Sequence, residues 1–407
     1  MTKTIKELRN RSVLISGAGA AGQSLGYWLS RYGFNPTVVE RSPTSRTGGF
    51  AIDIRGAAVV VAERMGILDA CRRAHVHMRE IVRLDRNGDV IWMTDANWGS
   101  DEGDGGGDVE ILRDDLTAIL QEATRDGVEY IFGDAITSMV QDDEGVDVTF
   151  QRGKSRRFDL VIGADGLHSA VRSLAFGPEA EFARPLGYYV GVFTMPNVLD
   201  LERQWLMSYL PGKMVHVINY GHDKHTRGVF IFASPSASYD RRDVSQQKAL
   251  IEKAFADDSN WEIPALLKGL RESTDLYFDD VTQIHMQSWS NGRVALLGDA
   301  AFAPTLITGQ GSSLAIVGAY VLAGELKAAQ GDYGIAFNRY EKEMRHFITQ
   351  NQRIIDCPEL SILGTWEELE EREKLFRSIQ GAPDERSAAA VIGAAANAIE
   401  LKDYERA

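Results

Sequence analysis

From Arg11 onward, short apolar runs alternate with segments of helical spacing. Ser12 to Ser16 is β-rich, Gly17 to Gly22 is glycine-rich, and Gln23 to Tyr32 carries apolar residues at helical spacing and stops at Gly33. A second β-rich run, Thr37 to Glu40, follows at once. Together they predict a βαβ unit of about 30 residues, the size of a mononucleotide-binding half.

Helical pattern resumes over Ala57 to Arg73. Arg83 to Met93 reads as two strands around Asn87-Gly88, which predicts a type I′ hairpin and an inserted sheet. Gly99 to Asp108 is acidic and glycine-rich without the spaced ligands of a calcium loop, so it is read as a solvated loop with no chemistry. Val109 to Leu112 leads into an amphipathic helix, Asp114 to Arg125, and strands follow around Thr137, Val148 and Leu160. From Tyr188 to Ala233 strand follows strand, with turns at Pro211-Gly212-Lys213 and His222-Asp223-Lys224, as expected of a second domain's sheet. Helices are predicted over Val244 to Ala256 and Ile263 to Arg271, and strands over Val281 to Ser288 and Val294 to Leu297. The remainder is mostly helical, and no internal repeat is visible.

At 407 residues the chain exceeds what one hydrophobic core usually holds, which favours two domains interleaved in sequence. Its net charge of -14 argues against nucleic acid and anionic membranes, whose capture needs basic surface, and points to a small-molecule partner. The longest apolar run, Leu314 to Gly324, falls short of the about 18 residues of a membrane span and reads as a buried helix. Cys71 and Cys357 are too few for a disulfide framework. The basic start, Met1 to Asn10, leads into a strand rather than a signal sequence, so a cytoplasmic protein is expected. His75, His77, His216, His222, His225, His285 and His346 show no metal-ligand spacing, and no metal is expected.

Three motifs carry chemistry. Gly17-Ala18-Gly19-Ala20-Ala21-Gly22 matches GxGxxG between a strand and a helix. The first glycine suits the tight turn, the second lets backbone approach a pyrophosphate, and the third lets helix pack on strand, while the helix N-terminus favours phosphate. Glu40, closing the next strand, can accept from ribose hydroxyls and disfavours a 2′-phosphate. This motif does not separate FAD from NAD. The second, Phe158 to Gly166 followed by Leu167-His168-Ser169-Ala170-Val171-Arg172, is a strand running into an Asp165-Gly166 turn, and taken alone it is as readily an ordinary turn. The third, Arg293 to Ala301 followed by Gly309-Gln310-Gly311, offers the Asp299 carboxylate to ribityl hydroxyls and backbone N–H groups at a helix start. Such a helix end can stabilise negative charge on a reduced flavin.

In this order and at these separations, the three segments resemble the para-hydroxybenzoate hydroxylase-like FAD monooxygenases, the group A flavin hydroxylases, over nearly the whole chain to about Gly331. Gly48-Gly49-Phe50-Ala51-Ile52-Asp53-Ile54 and Leu112-Arg113-Asp114-Asp115-Leu116 look most like the branch containing the tetracycline-inactivating monooxygenases. The resemblance implies an α/β fold in which a Rossmann-like FAD-binding domain (1-78, 107-178 and 283-330) is interleaved with a β-sheet substrate domain (79-106 and 179-282), followed by a C-terminal helical segment (331-407). It implies that Gly17, Gly19, Gly22 and Glu40 hold the AMP half of FAD, and that Arg41 and Arg113 reach its phosphate or ribityl region. Asp53 lies near the isoalloxazine, and Asp299 and Gly311 hold the ribityl and pyrimidine end, with Ala21, Asp165, Gly309 and Ser312 completing the cofactor residues.

The implied reaction is hydroxylation of an aromatic or polycyclic small molecule through a flavin C4a-hydroperoxide, using molecular oxygen and NADH or NADPH as a transient co-substrate. No separate nicotinamide motif appears, in keeping with that expectation. Arg55, Tyr189, Met207, His216 and Leu306 are the substrate candidates, and no general base is singled out. The rivals are a flavin-dependent dehydrogenase or reductase on the same fold and a non-catalytic FAD-binding protein. A monomer or a homodimer fits equally.

Where family members commonly read Gly-Asp-Ala-Ala-His with a later Pro-Pro, this chain has Phe302, Thr305 and Leu306, with Pro304 earlier. Ser313 replaces a frequent asparagine. Asn260-Trp261-Glu262-Ile263-Pro264 approaches a halogenase signature but has Ser259 where the first tryptophan belongs, and it reads as a helix start with proline in the first turn.

Overall fold

The computed structural model describes residues 8–44, 50–95, 107–221, 224–234, 239–378 and 387–406. Gly48-Gly49, most of the acidic glycine-rich loop and His222-Asp223 lie outside them. Its organising layer is a six-stranded sheet in the order Ser290–Asn291, Val294–Leu296, Leu160–Gly163, Ser12–Ser16, Asn35–Glu40 and Glu129–Phe132. All neighbours are parallel except the short edge pair Ser290–Asn291 with Val294–Leu296. Val13, Leu14, Ile15, Val161, Ile162 and Ala295 are fully buried, which is why these strands read as continuous apolar runs rather than alternating ones. Helix Ala20–Arg31 packs on helix Gly311–Ala328, with the Trp28 and Tyr320 rings 4.8 Å apart. No helix among the described residues is long and apolar enough to cross a membrane.

A seven-stranded sheet runs Leu276–Ile284, Ala183–Pro196, His225–Ala233, Lys213–Ile218, Gln204–Leu210, Glu80–Leu84 and Val90–Asp95. One face carries Phe193, Phe230, Phe232 and Leu210 against helices Val244–Ala254 and Ile263–Glu272. The other carries Val190, Val229, Ile231, Ile218 and Val281, joined by Ile362 and Ile307. A three-stranded sheet (Arg156–Phe158, Val146–Phe150, Ile136–Gln141) and a two-stranded one (Ala51–Ile54, Val109–Leu112) complete the strands. Helices Tyr333–Gln352, Trp366–Ser378 and Ala388–Ala396 follow, and the last docks on the six-stranded side: a Cβ on Gly56 would stand 2.6 Å from the Ala396 carbonyl oxygen.

Several local expectations change. Ala57 to Arg73 is two helices, Ala57–Arg64 and Leu68–Arg73, because Gly66 turns the chain at φ +74°. At the hairpin only Gly88 has positive φ, and its N–H donates to Asp85 O, so the turn is type I with a left-handed glycine rather than type I′. The strand expected over Val281 to Ser288 begins at Leu276 and ends at Ile284; Asp279 and Asp280 disguised its start, since acidic residues are depleted in strands. Strands Ala51–Ile54 and Glu129–Phe132 were not anticipated.

Candidate functional site

Parallel pairing sets Ser12–Ser16 beside Leu160–Gly163 and that strand beside Val294–Leu296, so Gly17, Asp165 and Asp299 leave the sheet at the same edge. Ligands of open α/β sheets bind outside this carboxyl edge. The three glycines of the first turn are separable here. Gly17 has φ +104°, and a Cβ on it would lie 2.4 Å from the Ala164 carbonyl oxygen. A Cβ on Gly22 would lie 1.9 Å from Gly17 O, whereas one on Gly19 would meet nothing within 4 Å. Fold therefore demands Gly17 and Gly22, while the open space above Gly19 is what a pyrophosphate needs. Gly19 caps helix Ala20–Arg31 without a side-chain bond, leaving amide donors free for phosphate. Glu40 accepts from the N–H groups of Ala18 and Ser42, both at 2.9 Å, and so shapes this loop. Ala21 is buried beneath it, and Arg41 is exposed beyond it.

At the third strand end, Gly298 (φ +65°) turns the chain so closely that a Cβ there would lie 3.1 Å from Ala21 Cβ. The adjoining Asp299 carboxylate accepts no hydrogen bond from the described residues; burial raises its pKa and Arg172 opposes that rise. Gln310, at the N-cap position of helix Gly311–Ala328 but making no side-chain cap, has no exposed surface, and its side-chain oxygen and nitrogen are both unpartnered among the described residues. A Cβ on Gly311 would stand 3.7 Å from Asp299 Oδ1, so the free carboxylate and the uncapped helix start face one space, with half-buried Ser312 beside them. Unpartnered donors and acceptors in such a space call for a polar ligand.

Next to it, Thr305 adopts φ +82°, ψ 149°, a region nearly reserved for glycine that costs about 1–3 kcal/mol. Leu306 is exposed in the short turn Leu306–Thr308. Ser313 does not stand free for a ligand: its hydroxyl donates to Asp53 O and accepts from Arg55 N–H, tying the helix to strand Ala51–Ile54.

Asp53 is 3.0 Å from Arg55, which also holds Asp108 at 3.2 Å. Arg55 is thereby committed to two carboxylates. A Cβ on Gly309 would stand 3.1 Å from Asp53 Oδ2, which brings Asp53 to the loop that precedes helix Gly311–Ala328. Across the strand pair, Glu110 lies opposite Asp53. Burial and the Asp53 charge push Glu110 up to about 8. Arg113 opens helix Arg113–Ala123, within electrostatic reach of Tyr277, whose ring meets Phe50 edge-on at 6.0 Å.

Asp165 spends its oxygens locally, accepting from Ser169 Oγ and from the N–H groups of Ala170 and Val171. It organises the start of helix Ala170–Ala175, from which fully buried Arg172 donates to Ala300 O at 3.0 Å.

In the seven-stranded sheet, Met207 pairs with His216 in register, on the face opposite helices Val244–Ala254 and Ile263–Glu272; Arg83, level with Met207 on the next strand, lies 4.0 Å from the Phe376 ring of helix Trp366–Ser378. Burial, then Arg83, holds His216 down to about 3, so it is neutral, and its Nε2 has no hydrogen-bond partner among the described residues. Tyr189 takes the other face. It lies on the helix-covered face, stacked 5.8 Å from both Phe232 and Phe278, because neighbouring strand positions point to opposite faces. Glu110, Arg172 and Gln310 escaped sequence reasoning. A glutamate in an otherwise apolar-flanked strand was the one available signal for Glu110.

An FAD-binding-domain family model, described as "FAD binding domain", matches residues 10–353. An uncharacterized protein of Mycobacterium tuberculosis is 42% identical over 345 residues, covering 85% of this chain and 92% of its own. A flavin-dependent monooxygenase of Legionella longbeachae is 37% identical over 402 residues, covering 98% and 99%. Among solved structures, the tetracycline destructase Tet(55) superposes with TM-score 0.82 at 35% identity over 97% of this chain and 99% of its own.

Proposed function

The chain belongs to the FAD-binding-domain family and is an FAD-dependent monooxygenase, and from that premise we propose that it hydroxylates an aromatic or polycyclic small molecule. The balance is one substrate C–H, one O2, one NAD(P)H and one proton giving one C–OH, one water and one NAD(P)+. The observation that carries the reading is the pairing of the unpartnered Asp299 carboxylate with the uncapped helix start at Gly311. That donor set fits the ribityl hydroxyls and pyrimidine edge of a flavin, while the cradle over Gly19 fits the pyrophosphate.

FAD, when bound, supplies the electron transfer from NAD(P)H and the activation of oxygen. The chain's own residues do the rest. Gly17, Gly19, Ala21, Gly22 and Glu40 form the AMP end, with Arg41 and Arg113 directed to the phosphates and ribityl chain. Asp53, Asp165, Asp299, Gly309, Gly311 and Ser312 shape the flavin end, and Arg55 fixes Asp53. Met207 and neutral His216 offer an apolar surface with one hydrogen-bonding nitrogen to the substrate, and exposed Leu306 borders the entrance. We assign 1-78, 107-178 and 283-330 to cofactor binding and 79-106 and 179-282 to substrate binding. The buried thiols of Cys71 and Cys357 suit a cytoplasmic, reducing setting.

The polycyclic substrate class rests on the likeness to a tetracycline destructase. Purified protein is expected to be yellow and to release FAD on denaturation, with NAD(P)H oxidation slow alone and faster with a true substrate. Chromatography of the released flavin and a substrate screen following NAD(P)H absorbance check this. Release of FMN or of no flavin contradicts it.

A further inference from the structure

His168, directly before the N-cap Ser169 of helix Ala170–Ala175, stands between two carboxylates from different parts of the fold. Its Nδ1 is 3.0 Å from both Glu179 oxygens, and its Nε2 is 2.9 Å from Asp279 Oδ2. A neutral imidazole carries one N–H and donates to one side only. Two flanking carboxylates are both satisfied only by the imidazolium, which donates from both nitrogens.

The contacts continue in both directions. Glu179 also accepts from Arg172 Nη2 at 2.8 Å, and Arg172 donates to Leu167 O and to Ala300 O. Ala300 directly follows Asp299. On the other side, Asp279 belongs to the outer strand of the seven-stranded sheet, and Arg241 spans Glu179 and Asp280 at 3.4 Å each. The groups facing this centre are therefore Glu179, Asp279 and Asp280 as acids, Arg172 and Arg241 as permanent cations, and the Tyr239 phenol beside Arg241.

We propose that His168 is a positioning residue of the cofactor site: as an imidazolium it clasps the outer strand of the substrate sheet through Asp279 and, through Glu179 and Arg172, sets the turn that presents Asp299. The inference rests on Asp299 being a cofactor group, as read above. Burial alone would lower the pKa of His168, but bonds to Asp279 and Glu179 outweigh it and hold the imidazole up to about 9. With 6.5 as the unfolded reference, the clasp contributes fully below about pH 6.5 and is lost as pH rises through about 9.

The test is FAD affinity by fluorescence titration and thermal unfolding of the FAD-free protein from pH 6.5 to 10, for wild type, His168→Gln and His168→Lys. Wild type should lose about tenfold in FAD affinity across this range, with a parallel fall in melting temperature. His168→Gln should be weak and flatter, and His168→Lys, which keeps a cation, should hold FAD better than wild type at pH 10. Ionisations of the cofactor itself are common to all three proteins. If His168→Gln follows the wild-type profile in both measurements, the clasp is overturned while the cofactor reading stands. If the wild type itself binds no FAD at any pH, the cofactor reading fails and takes the inference with it.

Discussion

In the six-stranded sheet the central strands are buried on both faces and end in turns whose glycines are fixed by backbone clashes. The seven-stranded sheet instead divides its side chains, sending Tyr189, Phe230 and Phe232 under helices and Met207 and His216 to the opposite face. The first region thus writes its function into backbone requirements that only particular residues meet. The second writes it into which face a side chain takes, and a shift of one position reverses that.

The sharpest way to break this contrast is within the glycine turn. Gly22→Ala should cost about 3 kcal/mol in stability and abolish FAD retention, because its Cβ meets the Gly17 carbonyl. Gly19→Ala should melt within about 2 °C of wild type yet bind FAD about tenfold more weakly, since its Cβ enters open space that only a ligand fills. Thermal melts with FAD titration separate the two. Similar melting temperatures for both variants would dissolve the distinction.

Asp299→Ala should weaken FAD by about ten- to a hundredfold, the loss of about 1.5–3 kcal/mol for a charge-assisted hydrogen bond. Unchanged affinity would remove Asp299 from the site. In the other region, His216→Leu should raise KM for a true substrate about tenfold through loss of one hydrogen bond while leaving FAD affinity unchanged. Tyr189→Phe should leave both KM and FAD affinity within about twofold, since its ring is packed away from that face. Steady-state kinetics on the two variants decide whether the faces are assigned correctly.

The last expected effect shows only against pH and concerns Glu110. Its acid is held up to about 8 in the fold against an ordinary 4.5, so the unfolded chain releases the proton first and stability falls as pH rises from about 4.5 through 8. Glu110→Gln should therefore melt close to wild type at pH 5 and above it at pH 8.5. A melting difference independent of pH would contradict the assignment.

This contrast also explains what was legible beforehand. Strand, turn and helix around Gly17–Gly22 could be read because an apolar run and three glycines at fixed spacing have few other uses. Asp299 stood out as a candidate from its place between strand and helix. The face that Tyr189 takes could not be read because a 14-residue strand of mixed polarity does not reveal which parity faces the helices. Glu110 and Arg172 were missed for another reason: their neighbours, Asp53 in one case and Glu179 and Ala300 in the other, are set by cross-strand register and by chain return. Strand Leu276–Ile284 began earlier than expected because Asp279 and Asp280 are tolerated there only with His168 and Arg241 opposite.

Mass spectrometry of product formed under 18O2 tests the central claim most directly. The converted substrate should gain one oxygen atom carrying the label while NAD(P)H is consumed. A product formed at full yield without label, or formed equally well without oxygen, would make the chain a dehydrogenase or reductase on this fold and contradict the monooxygenase assignment.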